Sequence, residues 1–227
     1  MKPKLVLKIC VDIAMTVVLL LLMTYELIGK AAHEWIGVSM FVLFVLHHIL
    51  NSKWSKNILK GNYTVLRILQ TALVISVLLC MTGSMVSGIV LSRHAFAFLT
   101  IRGGQSWART LHLICSYWGF VMMSLHLGFH WSMMMGMAKK HFGVSSRKRT
   151  WMLRSIAAVI AVYGVFAFVQ REIGSYMFLK NEFVFFNFEE PLALFFLDYI
   201  AAMGLFVFIG HYLTTLLRWY SRKRKAK

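Results

Sequence analysis

The sequence has little of what a water-soluble domain needs on its surface. Only 15% of its 227 residues are charged, and proline, which interrupts helices, occurs twice. Hydrophobic residues make up 59% of the chain, and its mean hydropathy is +0.68. A soluble domain of this size carries about a quarter charged residues. The composition therefore excludes an ordinary soluble domain and predicts an integral membrane protein.

Cysteine is also scarce, and its three copies are far apart: Cys10, Cys80 and Cys115. The sequence contains no C-x-x-C-H motif, which excludes covalent c-type haem attachment. It has no cysteine cluster of the kind that holds an iron–sulfur centre. Each cysteine falls within a predicted helix, so we expect all three to be small, buried, apolar residues.

Six apolar segments have the length of roughly 20 residues that a bilayer crossing requires. They lie at 9–28, 33–51, 66–91, 110–135, 151–170 and 192–217. We therefore expect an all-α integral membrane bundle of six transmembrane helices, forming one domain over 1–227 without a soluble appendage. The first segment resembles a signal peptide in position, but no small-residue cleavage site follows it, so we expect a retained helix.

Acidic residues are few, and their placement indicates the topology. The chain has 25 Lys and Arg against 8 Asp and Glu, a formal charge of +17. With cytoplasmic N- and C-termini, most basic residues fall in cytoplasmic loops, and every acidic residue except Asp12 falls outside. This arrangement satisfies the positive-inside rule. Topology and contact with anionic lipid account for the charge, so no nucleic-acid partner is expected.

Histidines occur in two pairs with identical spacing, His33 with His47 and His112 with His126. Fourteen residues of helix rise ~21 Å and return to within about 40° of the same face. In a left-handed bundle this offset vanishes. The second and fourth segments both run from outside to inside, so the depths match. We expect His33 to face His112 near the outer surface and His47 to face His126 near the inner surface.

Neutral imidazole is a good iron ligand, and two imidazoles make a six-coordinate haem that transfers single electrons. Burying four imidazoles in lipid without partners is costly. The alternative is that each histidine is interfacial and bonded to its neighbours. Two pairs of equal spacing favour two haem b groups held by these histidines, and hence transmembrane electron transfer. No bond-making residues are visible, so any oxidoreductase activity belongs to the cofactors.

Other histidines compete for the inner position. His130 lies five whole turns, or ~27 Å, from His112, which is deeper than His47 reaches if the outer ligands are level. We therefore favour His126 as the ligand and assign His130 to a haem propionate or a quinone headgroup. His48 is rotated about 100° from His47. His211 is expected at the inner interface, and His94 and His141 in loops.

Small and basic residues add to this prediction. Gly119 lies midway between His112 and His126, where a missing side chain would leave room for a flat macrocycle. Gly83, Ser84, Ser87 and Gly88 form a patch that another helix or a ring could approach, and ordinary helix packing explains it equally well. Arg109 lies one turn before His112, where it could pair with an outer propionate or anchor the interface. The apolar loop 171–191 is expected either to receive a partner or to cap the bundle.

Four short runs resemble the flavinylation-associated cytochromes, a prokaryotic membrane protein family. They are HEWIG from His33, LHHILNSKW from Leu46 to Trp54, RTLH from Arg109 and LHLGFHW from Leu125 to Trp131. The resemblance covers mainly residues 9–135, and 151–217 match more loosely. It implies a relation to ferric-reductase and di-haem cytochrome b proteins, a prokaryotic plasma-membrane location and electron transfer to extracytoplasmic acceptors, often flavin-carrying proteins.

The donor predicted from these features is quinol or another membrane carrier. Two alternatives remain open from the sequence. One is the membrane subunit of a ferric, metal or quinol reductase. The other is a haem-free transporter or scaffold, which is disfavoured because the chain lacks the interrupted helix pairs and repeated halves usual in transporters.

Overall fold

The computed structural model describes residues 3–143 and 146–225, and within them the chain is helical and contains no strand. In chain order the helices are α1 (Pro3–Leu22), α2 (Lys30–Leu50), α3 (Ser52–Lys56), α4 (Val65–Leu91), α5 (Gln105–Phe142), α6 (Arg147–Gln170), α7 (Ile173–Met177) and α8 (Leu192–Lys225). Single 3₁₀ turns cover Tyr25–Leu27 and Ala97–Leu99. Six of the helices, all but α3 and α7, are long and apolar enough to cross a membrane. The prediction of an all-α protein with six spans is therefore confirmed.

The helix ends differ most from the predicted segments where the apolar run and the helical hydrogen bonds end at different residues. Helix α1 begins at Pro3, since proline suits the first position of a helix, and it ends at Leu22, before the apolar Leu27 and Ile28. Helix α5 continues well past residue 135 to Phe142. His141 therefore belongs to the last turn of α5, and its prediction as a loop residue is wrong.

Polar side chains mark two of the helix starts. The hydroxyl of Thr64 accepts a hydrogen bond from the backbone N–H of Arg67, and that of Ser146 accepts one from the N–H of Arg149. Each satisfies one of the N–H groups that a helix leaves without an internal partner. The starts of α4 and α6 are thus fixed by residues that a hydropathy profile does not detect.

Helix α5 is central to the bundle, because it packs on α4 along one side and on α8 along another, while α8 also packs on α6 and α1 on α2. Glycines allow the closest of these approaches. A Cβ added to Gly128 would overlap the backbone carbonyl oxygen of Val207 in α8. A Cβ added to Gly210 would come within 2.7 Å of the carbonyl oxygen of Leu125. A Cβ at Gly164 in α6 would overlap the carbonyl of Ala201.

The cysteines differ from the expectation of uniform burial. Cys115 is buried between α5 and α4, where a Cβ on Gly83 would lie 2.5 Å from its sulfur. Cys80 is half-buried, whereas Cys10 is exposed on the outside of the bundle. The prediction is therefore wrong for Cys10, because α1 contacts few other helices and leaves one face uncovered.

A buried ion cluster fastens the segment between α6 and α8. The guanidinium of Arg171 donates to both oxygens of Glu190 and, through Nε, to Asp198 Oδ2 at 2.8 Å. The Tyr163 hydroxyl donates to Asp198 Oδ1 at 2.6 Å. These acceptors raise the pKa of Arg171 above its usual value, so it stays charged. The expectation that loop 171–191 caps the bundle is met by the buried residues of α7, while Phe185 is 80% exposed and the docking of a partner stays a prediction.

Two glycines of α5 offer a matched test of this packing. We expect Gly128→Ala to destabilise the bundle by about 1–3 kcal/mol, because its methyl group meets the backbone of α8. Gly136→Ala should leave stability unchanged or raise it by up to about 1 kcal/mol, since Gly136 has no neighbour within 4 Å and alanine favours helix. Thermal unfolding of the purified variants in one detergent measures both effects. Equal melting temperatures for the two variants would contradict the close α5–α8 contact.

Candidate functional site

His33 and His112 face each other across the bundle at one end. His33 lies in the first turn of α2 and His112 in the third turn of α5, and their ring centroids are 6.1 Å apart with an angle of 73° between the planes. The edge of the Tyr25 ring packs on His33 at 5.0 Å. The backbones of α2 and α5 make few close approaches, since α2 packs mainly on α1. The two imidazoles therefore bridge a gap between helices. We call this end the His33 level.

The ring of His112 is oriented by the small-residue patch of α4. Its Nδ1 lies 3.1 Å from the carbonyl oxygen of Ser84 and 3.1 Å from the hydroxyl oxygen of Ser87. A Cβ on Gly88 would lie 3.5 Å from Cε1 of the same ring. An Nδ1–H that donates to these oxygens leaves Nε2 with a lone pair. The prediction that another helix approaches this patch is met, because α5 packs on α4 and its His112 ring contacts the patch. The approach of a macrocycle to the patch stays a prediction.

His33 has a ring nitrogen available for a further partner. Its Nδ1 is buried and has no well-formed hydrogen bond among the described residues, although the ring lies near the backbone of Leu22. A buried polar atom without a partner costs about 1–3 kcal/mol. The His33 level thus holds two facing imidazoles with spare bonding capacity.

The distance between these rings fits a shared iron atom. A metal–imidazole bond is about 2 Å long, so two imidazoles that hold one metal ion between them would have ring centroids roughly 6 Å apart. The observed separation is 6.1 Å. Histidine is also among the protein ligands that hold haem iron. The residues present at this level therefore fit a bis-histidine haem.

Glu34, next to His33, holds α2 against the loop between α4 and α5, and we call this contact the Glu34 buttress. The carboxylate of Glu34 accepts hydrogen bonds from the Ser92 hydroxyl at 2.6 Å and from the backbone N–H groups of Arg93, His94 and Ala95 at 2.8–3.0 Å. Four donors satisfy a single carboxylate, which compensates for its removal from water. Sequence analysis did not identify Glu34, and adjacency to His33 was its only signal.

Further along α2 and α5 lies a second group of histidines, His47, His126 and His130, which we call the His47 level. Nδ1 of His47 lies 2.8 Å from Oδ1 of Asp12 in α1. Its Nε2 has only a long contact, 3.5 Å, with the side-chain amide of Asn51. The rings of His126 and His130 lie edge to face at 4.8 Å. Both interact electrostatically with His47 and Asp12.

This level therefore brings together His47, His126 and His130. Both His126 and His130 are candidates for the ligand that pairs with His47. Nδ1 of His48 contacts the carbonyl oxygen of Phe44 in its own helix at 2.9 Å, and its ring packs edge to face against His47 at 5.6 Å. Asp12 was not among the predicted site residues. Its signal was visible nevertheless, since it is the one acidic residue on the basic side of the predicted topology.

One glycine on α5 and one methionine on α2 lie midway between the His33 level and the His47 level. Gly119 faces α4, where an added Cβ would contact the Cβ of Cys80 at 3.4 Å. Its missing side chain therefore allows the approach of α4, rather than making room for a macrocycle as expected. On α2 the corresponding midpoint is Met40, seven residues from both His33 and His47, and it is only 2% exposed. Methionine is flexible and fills irregular interior space.

Arg109 is exposed and borders a cleft of about 380 Å³ beside the His33 level. The other lining residues come from the first turns of α5 and from the loop before α8: Gln105, Ser106, Thr110, Leu113, Leu179, Glu182 and Phe183. His211, predicted at the interface, is half-buried, with its Nδ1 3.4 Å from the Ser132 hydroxyl. Among residues 3–143 and 146–225 no group of three or more acidic, cysteine or histidine side chains could hold a metal ion. Two axial histidines on a haem iron would not form such a group.

No protein-family model, no curated protein and no solved structure matches this chain. The resemblance to flavinylation-associated cytochromes therefore stays a prediction from four short runs of sequence.

The Glu34 buttress predicts a local effect. Glu34→Ala should leave the N–H groups of Arg93, His94 and Ala95 without their acceptor, and it should lower the free energy of opening this loop by about 1.5–3 kcal/mol. Hydrogen exchange of these amides should accelerate accordingly. Glu182→Ala, which removes an exposed acid from the neighbouring loop, is the matched control and should leave the exchange unchanged. Equal exchange in both variants would show that the buttress does not order the loop.

Proposed function

We propose that this chain carries electrons across a prokaryotic plasma membrane through two b-type haems. The observation that supports this function best is the pair His33 and His112, whose rings lie 6.1 Å apart while their helices stay separated. The second support is the matching group at the His47 level, one fourteen-residue interval along both helices. With equal intervals, the two proposed ligand pairs would lie ~21 Å apart along the bundle.

The chain's own residues would hold and orient the ligands. Ser84 and Ser87 fix the His112 ring, and Asp12 fixes the His47 ring. Each of these contacts uses Nδ1, so the opposite nitrogen of each ring stays available for iron. When bound, a haem between two such histidines would supply reversible one-electron chemistry. The buried aliphatic and methionine side chains between the levels would exclude water.

The charge distribution supports one orientation. Basic residues cluster around the chain termini and the His47 level, and we assign this end to the cytoplasm. Electrons would enter there from quinol or another membrane donor. They would leave at the His33 level toward an extracytoplasmic acceptor, such as a flavin-carrying protein. The cleft beside Arg109 is our candidate for that contact or for pairing with a propionate.

Reduced-minus-oxidised optical spectra, with haem counted per chain, test this function. We expect a b-type spectrum and two haems per chain in the wild-type protein. His33→Ala and His112→Ala should each remove the same haem, because each variant removes one of the two histidines that would hold it. The haem that remains should be the same in both variants.

Absence of a b-type band in the wild-type protein would contradict the proposal and favour a haem-free transporter or scaffold. A single haem per chain would leave one ligand pair and exclude a two-haem path. A ferric, metal or quinol reductase subunit would show the same spectrum. It would be distinguished by reoxidation of the reduced protein with a ferric chelate or a quinone.

The choice between His126 and His130 has its own test. We expect His126→Ala to lose the second haem or convert it to a high-spin form, because only His126 matches the interval from His33 to His47. His130→Ala should keep a low-spin spectrum with a changed potential or quinol reactivity. Optical and electron paramagnetic resonance spectra distinguish these results. The opposite pattern would make His130 the ligand.

A further inference from the structure

Asp12 is the most unusual charged residue of the bundle. It lies within the apolar helix α1, on the side of the predicted topology that is otherwise basic. A carboxylate in such a span needs a partner. Its partner is His47, with 2.8 Å between Oδ1 and the ring Nδ1. A charged group therefore contacts a candidate iron ligand directly.

The candidate ligand His112 has a different environment. Its Nδ1 contacts a carbonyl oxygen and a hydroxyl oxygen, both neutral. Hydrogen bonds to an ionised acceptor are roughly twice as strong as those between neutral groups. The carboxylate nearest the His33 level, Glu34, is saturated by four donors of the α4–α5 loop. The two levels thus differ in the charge that their ligands see.

We propose that Asp12 is a positioning and tuning residue that makes the His47 level the low-potential end of the electron path. The inference rests on the proposed function. Asp12 accepts the Nδ1 proton of His47, which fixes the tautomer and directs Nε2 toward iron. It also draws positive charge onto the Nδ1–H and increases the basicity of Nε2. A more basic ligand and a nearby negative charge both favour ferric over ferrous iron.

The consequence is a direction of transfer. An electron shared between the two levels would reside mainly at the His33 level, where the ligand His112 has only neutral partners. The low-potential end lies at the basic side of the bundle. Electrons would therefore move energetically downhill from the His47 level to the His33 level. This supplies a direction that topology alone does not give.

Nearby positive charges act in the opposite sense. Lys8 donates to the side-chain oxygen of Asn51 at 2.9 Å, and Arg218 acts electrostatically on His130 and His211. Neither cation is removed when Asp12 becomes asparagine. Asp12→Asn therefore isolates the effect of the carboxylate and keeps a side chain of the same shape.

Redox titration of the full-length protein, followed by optical and paramagnetic resonance spectra, tests the proposal. His47→Ala identifies the wave that belongs to the His47 level. We expect this to be the lower-potential wave in the wild type and to rise in Asp12→Asn. The expected rise in the midpoint potential is about 59 mV. For a one-electron couple this changes the distribution of an electron between the two levels about tenfold.

Ser87→Ala is the matched control, because it removes a neutral partner from His112 and leaves the Ser84 carbonyl in place. It should move neither wave by a comparable amount. Two haems in every protein with unchanged midpoints in Asp12→Asn would overturn the inference while leaving the proposed function intact. A higher-potential wave at the His47 level would also overturn it.

Loss of the second haem in Asp12→Asn is resolved by Asp12→Glu, which keeps the charge. Recovery of that haem with a low potential supports the inference, and failure to recover it overturns the inference. A wild-type protein without haem would instead overturn the proposed function, and this inference with it.

Discussion

The contact between His33 and His112 joins two parts of the bundle that otherwise meet sparsely. On one side α1 and α2 pack together, and on the other α4, α5, α8 and α6 form a continuous series. Between these groups the interior is spanned by side chains rather than by close backbone packing. Imidazole suits such a gap, since His112 bonds through Nδ1 to oxygen atoms of its own side and keeps a second ring nitrogen. The orientation of the His112 ring therefore depends on the oxygen atoms behind it.

Three charged side chains of this bundle, those of Glu34, Arg171 and Asp12, each have hydrogen-bond partners, but the partners differ in kind. Glu34 is satisfied by backbone N–H groups of a loop, and its charge is spread over four donors. Arg171 is surrounded by two acids that keep it charged and immobile. Asp12 contacts an imidazole instead, a partner whose second nitrogen can itself bind a metal ion. The first two arrangements are structural, and the third joins a carboxylate to a candidate ligand.

Hydropathy was sufficient to predict six spans, because the interior and lipid-facing surfaces of a bundle are both apolar. It did not locate the ends of α1 and α5, which depend on turns and on polar residues that continue a helix into water. The meeting of His33 with His112 followed from helix periodicity and from equal spacing. The contact of Asp12 with His47 did not, since it requires knowing which faces of α1 and α2 oppose each other. Gly119 shows the same limit, because periodicity placed it on the right stripe but not against the neighbour it contacts.

The unequal lengths of the helices bear on how the protein tolerates different lipids. Helix α5 has 38 residues and is about 57 Å long, nearly twice the hydrocarbon thickness of about 30 Å. Its histidine interval spans only ~21 Å. A thicker or thinner bilayer would therefore cover or uncover the terminal turns and leave the separation of the histidines unchanged. The distance between the two levels is set by the geometry of the helix and does not depend on the thickness of the surrounding membrane.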